Sequence, residues 1–103
     1  MSKRNDIPSE LTDKLRQLAE AIRRDSGSLC QGEAINAAID RGEINLVSGM
    51  ISIRVRCNLT KRMHQDLYID SEDLTEDKRW QTIRKVCASM SHGLCSMCPA
   101  RRD

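Results

Sequence analysis

The stretch Glu43–Cys57, EINLVSGMISIRVRC, constrains the fold more than any other part of the chain. Ser48-Gly49 separates two runs of alternating apolar residues, the pattern of a two-residue hairpin turn, with Ser-Gly a weaker form of Asn-Gly. Folding about Val47-Ser48-Gly49-Met50 sets Leu46 against Ile51 and Ile44 against Ile53. All four then share one face, which Val55 and Cys57 extend. The opposite face takes Asn45, Ser52, Arg54 and Arg56, with Glu43 across from Arg54. The turn and the hydrophobic pattern thus select the same register. After a loop at 58–62, Met63, Gln65, Leu67 and Ile69 alternate with His64, Asp66 and Tyr68, which predicts a third, edge-like strand.

Helical periodicity flanks this sheet. Ser9 stands at an N-cap position, and Leu11, Leu15, Leu18 and Ile22 form one stripe of a helix over 10–24, stopped by Asp25-Ser26-Gly27. Ser28 and Gln31 have capping-box spacing, so a second helix is expected from Leu29, carrying Ala34, Ile35, Ala37, Ala38 and Ile39 and ending at Gly42. Gly32 inside it costs about 1 kcal/mol relative to Ala. An acidic segment, Asp70–Asp77, leads to a last helix capped by Ser71 or Thr75. Its stripe is Trp80, Ile83, Cys87 and Met90, widened by Val86, and Gly93 closes it. The expected fold class is α+β in the order ααβββα, a small three-stranded antiparallel sheet packed on helices. Residues 1–8 are expected as a mobile arm, 9–94 as one domain and 95–103 as a tail.

With 103 residues the chain has room for one domain, and with no Phe, one Trp and one Tyr its core must be aliphatic. No apolar run approaches the roughly 18 residues that cross a bilayer. The opening MSKRNDIPSE has no apolar stretch behind its basic residues, so no secretory signal is expected and the composition reads as cytoplasmic. Five cysteines in a reducing compartment point to core packing, metal ligation or redox chemistry before disulfides. A domain this small gains from a metal or a dimer partner; monomer and homodimer both remain open.

Cys95-Ser96-Met97-Cys98 is the strongest local motif, two sulfurs spaced to chelate one zinc if two further ligands come from elsewhere. Cys87 and His92 offer a local completion; Cys57 and His64 offer a bipartite one. Five residues of helix turn a side chain by roughly 140°, so Cys87 and His92 converge only if the helix ends before His92. The plain alternative is that Cys57 and Cys87 continue the apolar stripes as small hydrophobes. An iron–sulfur cluster on Cys57, Cys87, Cys95 and Cys98 matches no ferredoxin spacing. A thioredoxin-type site would need the two cysteines at the start of a helix. One structural zinc is therefore the candidate cofactor.

No phosphate-binding, dinucleotide-binding, HExxH or EF-hand motif is present, and catalysis is not expected. Charge, however, falls in blocks. Arg54, Arg56, Lys61 and Arg62 lie within 50–65 with no acidic residue, six acidic residues fill 66–77, and five basic ones from Arg79 to Arg102 follow unopposed. Twelve of the seventeen cations are Arg, suited to planar contact with phosphate or carboxylate. The leading expectation is a regulatory protein that binds nucleic acid or a nucleoprotein complex through Arg54, Arg56, Lys61, Arg62, Arg84 and Lys85. A protein-binding inhibitor or adaptor of the phage or plasmid type is the second, and a zinc-stabilised interaction module the third. Against the first stand a pI near 8.4, below the value above 9 typical of such domains, and the lack of aromatics for stacking.

Overall fold

The hairpin closes in the register its side chains dictate. β1 (Ile44–Val47) pairs with β2 (Met50–Arg56), Ile44 against Ile53 and Leu46 against Ile51. Ser48 and Gly49 take φ of 55° and 80°, the two left-handed positions of a type I′ turn. β3 (His64–Asp70) joins the other side of β2, Ile51 against Ile69 and Ile53 against Leu67, giving the antiparallel order β1-β2-β3. One face of this sheet is the floor of the core, where Ile51, Ile53, Val55, Leu67 and Ile69 are buried.

The computed structural model describes residues 7–25 and 29–98. Within them α1 (Ser9–Asp25) and α2 (Leu29–Arg41) precede the strands and α3 (Arg79–His92) follows, a mixed α+β fold in the order ααβββα. α2 packs on β2 and α3 beside β3, while α1 packs against both helices. Leu15, Ile22, Ile35, Ile83 and Met90 are fully buried between these layers, an aliphatic core without an aromatic ring. The radius of gyration, 13.1 Å, is that of a compact domain of this length. No helix among the described residues is long and apolar enough to cross a membrane.

Gly32 explains itself at the α1–α2 contact. A Cβ there would stand 2.6 Å from the Ala19 carbonyl oxygen and would overlap the stem of Arg23. The residue that weakens the helix is the one that lets the two helices approach. α2 then ends in a Schellman motif: Gly42 N–H donates to Ile39 O at 3.0 Å, and Glu43 N–H donates to Ala38 O at 2.9 Å. This turn delivers the chain directly into β1.

Helix starts depart from expectation. Pro8, not Ser9, accepts the first bonds of α1, from Leu11 and Thr12. The expected cap at Ser28, the stop at Gly27, most of the N-terminal arm and residues 99–103 lie outside the described residues. Neither Ser71 nor Thr75 caps α3. Asp70 instead accepts from Glu72 N–H to cap a short 3-10 turn, Ser71–Asp73, and α3 begins only after Lys78, with no side-chain cap. Trp80 therefore sits in the exposed first turn, 57% accessible, and not on the core stripe. Thr82, Ile83, Val86 and Met90 form the buried arc, and Trp80 lies roughly 100° around the helix from its centre.

Candidate functional site

Among the described residues, no helix packs on the second face of the sheet. Alternation puts Val47, Met50, Asn45, Ser52, Arg54, Arg56, His64, Asp66, Tyr68 and Asp70 on that side. Val47, Met50 and Tyr68 cluster toward the hairpin tip with Asp70 across from Met50, and the other end is charged. Val47 and Tyr68 are among the most exposed large side chains, at 59% and 67%, and Met50 is cross-strand from Val47. An open groove of about 340 Å³ crosses the middle, lined by Glu43, Asn45, Ser52, Arg54, Asp66 and Tyr68.

Its arginines are engaged. Arg54 Nε donates to Asp66, its partner on β3, at 3.4 Å. Arg56 forks onto Glu43, Nε to Oε1 at 3.2 Å and Nη2 to Oε2 at 3.0 Å, and Arg41 Nε reaches the same carboxylate at 2.9 Å. Hydrogen bonds from Arg56, then from Arg41, hold the Glu43 carboxyl at about 2, well below its ordinary range. The expected ladder is thus two compensated rows and not an uncovered array of cations.

The other cations expected at this surface are dispersed. Lys61 and Arg62 are exposed in the β2–β3 loop, where the Lys61 carbonyl accepts from Arg56 at 3.4 Å. Arg84 and Lys85 are exposed on α3, in the helical layer; Lys85 lines a cleft between α3 and β3.

The cysteines are rearranged relative to both expected sets. His64 is exposed at the start of β3, cross-strand from Arg56 on the uncovered face, while Cys57 is buried on the opposite side. His92 is exposed at the end of α3, and Cys87 is half-buried on its flank. Neither completes the motif. The residue that does approach it is Cys30, in the first turn of α2, to which the sequence reading gave no role. Cys30, Cys57, Cys95 and Cys98 line one cavity of about 10 Å³, together with Gln31, Arg56, Asn58, Ala34, Met90 and Leu94.

Three segments build this cavity. The chain leaving β2 folds back at once, Lys61 N–H donating to Cys57 O at 2.8 Å with Lys61 at φ 59°. Leu94–Met97 forms a 3-10 turn after α3, docked by buried Leu94, and half-buried Cys95 and Cys98 pack on the core. Gln65 of β3 secures that turn, accepting from Leu94 N–H at 2.8 Å and donating to Ser89. Amide donors reach two of the sulfurs: Asn58 Nδ2 to Cys30 Sγ at 3.2 Å and Gln31 Nε2 to Cys95 Sγ at 3.5 Å. Backbone N–H groups of Thr60 and Leu59 lower the Cys57 thiol. Partial burial raises that of Cys30, opposed by Asn58 and reinforced by the nearness of Cys95, Cys98 and Cys57.

Among the described residues, no group of three or more His, Cys, Asp and Glu side chains stands in metal-holding geometry. All four cysteines are nonetheless lining residues of the one cavity. Comparison of the chain with protein-family models, with curated proteins and with solved structures finds no match.

Proposed function

We propose that this chain is a small cytoplasmic binding protein, an adaptor or inhibitor, that docks a protein partner through the uncovered face of its sheet. The observation that carries this is the composition of that face. Val47, Met50 and Tyr68, with Asp70 across from Met50, adjoin paired charges, Arg54 with Asp66 and Arg56 with Glu43. Phosphate binding draws on cations without internal partners, whose counterions are released on contact. Arginines already held by carboxylates contribute little to that. Tyr, Met and Arg around a partly apolar centre are the side chains that dominate protein–protein contacts.

Nucleic acid is the competing partner, favoured by exposed Lys61 and Arg62 beside the same face. One experiment separates them. A photoreactive residue is placed at Tyr68 and, as a control, at exposed Asp13 on α1, and cross-linked in cells. The expected result is a protein adduct specific to position 68, reproduced with that protein purified and lost with Met50→Asp. An adduct to nucleic acid at position 68, or equal labelling from both positions, overturns the proposal. Fluorescence anisotropy with labelled duplex and single strands adds the salt test: phosphate contacts lower log K by about one unit per contact per decade of salt. Only weak, salt-abolished binding is expected.

A further inference from the structure

We propose that Cys30, Cys57, Cys95 and Cys98 form a tetrathiolate site for one zinc ion, tying the start of α2, the exit of β2 and the turn after α3 together. The proposal is independent of the partner that the sheet binds.

Four lines of geometry lead to it. The four thiols wall one cavity although 26, 37 and 2 residues separate them in the chain, counting 30 to 57, 57 to 95 and 95 to 98. Cys95 and Cys98 have the two-residue spacing with which a knuckle grips zinc, and they sit on a 3-10 turn fixed from below by Leu94. Hydrogen-bond donors already address the sulfurs, Asn58 to Cys30 and Gln31 to Cys95, as the outer partners of metal-bound thiolates do. Gln31 is 92% buried, and its Oε1 has no hydrogen-bond partner among the described residues.

Size and softness choose the ion. A cavity of about 10 Å³ is at the lower limit for one water molecule, which suits a single ion and not a cluster of irons and sulfides. Four thiolates are a soft set, and zinc takes them tetrahedrally with bonds of about 2.3 Å. Binding replaces each S–H by an S–Zn bond and releases up to four protons to solvent, with no change of oxidation state.

The test is native mass spectrometry of the full chain, purified under reducing conditions with one equivalent of zinc. One zinc per chain is expected, lost to a strong chelator. Cys30 lies at an exposed helix start, so Cys30→Ser leaves the fold in place while removing a ligand. It should lose the ion, whereas Cys87→Ser and His92→Ala keep it at full occupancy. Cobalt(II) in place of zinc should give the visible bands of a tetrahedral ion with intense near-ultraviolet thiolate charge transfer. Asn58→Ala should then weaken cobalt binding by about 10- to 100-fold. A folded, metal-free wild type overturns the proposal. So does zinc kept by Cys30→Ser but lost by Cys87→Ser, or a mass short of the hydrogens consumed in a Cys57–Cys98 disulfide.

Discussion

Glu43 carries two arginines on one carboxylate, and pH exposes what that contributes. Its folded value of about 2 lies below the ordinary 4.5, so the stabilisation is complete above 4.5 and is lost as pH falls from there toward 2. Arg41 and Arg56 are each about a third exposed, so solvent screening keeps this contribution small. Urea midpoints of wild type and Glu43→Gln should therefore differ at pH 6 and converge near pH 2. A constant gap across that range would show that the side chain acts through packing alone. Sequence showed that Glu43 falls across from Arg54, and the backbone bond from Arg54 N–H to Glu43 O bears this out. It did not show that the carboxylate passes Arg54 and takes Arg56, because that choice depends on how the α2 terminus aims the side chain. Cys30 was illegible for a related reason. Nothing local distinguishes it, and its approach to Cys57 and Cys95 exists only once α2 lies over β2.

Elements were legible where two independent signals agreed. The turn and the period-two pattern fix the same pairing of β1 with β2, so the strands formed as read. In α3 the apolar identity of Trp80 suggests burial, but the helix starts at Arg79 and Trp80 in its first turn is exposed. The helix pair gives the sharper prediction. By propensity alone Gly32→Ala gains about 1 kcal/mol. Here the added methyl meets the backbone oxygen of Ala19, and the stem of Arg23, whose Nε is buried without a hydrogen-bond partner, has little room to withdraw. Forcing the helices apart should cost about 1–3 kcal/mol net, seen as a lower urea midpoint with an unchanged slope. A stabilised variant would mean that α1 and α2 slide apart at little cost.

At the scale of the molecule, the described helices line one side of the sheet and none of them packs on the other. The chain's one tryptophan lies outside the core, so its fluorescence should be poorly suited to following unfolding. Native emission should resemble that of a solvated indole, yield readily to acrylamide and change little in urea, while circular dichroism reports the full transition. A blue-shifted, protected native spectrum would place Trp80 under a neighbour, such as a second copy of the chain. The alternation of the strands has a further consequence for how such a gene can drift. The hairpin behaves as a reading frame with a step of two. Substitutions change one letter on one side, but the loss or gain of a single residue between Met50 and Arg56 would exchange the two sides of the strand beyond it. Ile53 and Val55 would turn to water, and Arg54 and Arg56 would enter an aliphatic core. Variation in this segment should therefore accumulate as replacements and not as changes of length.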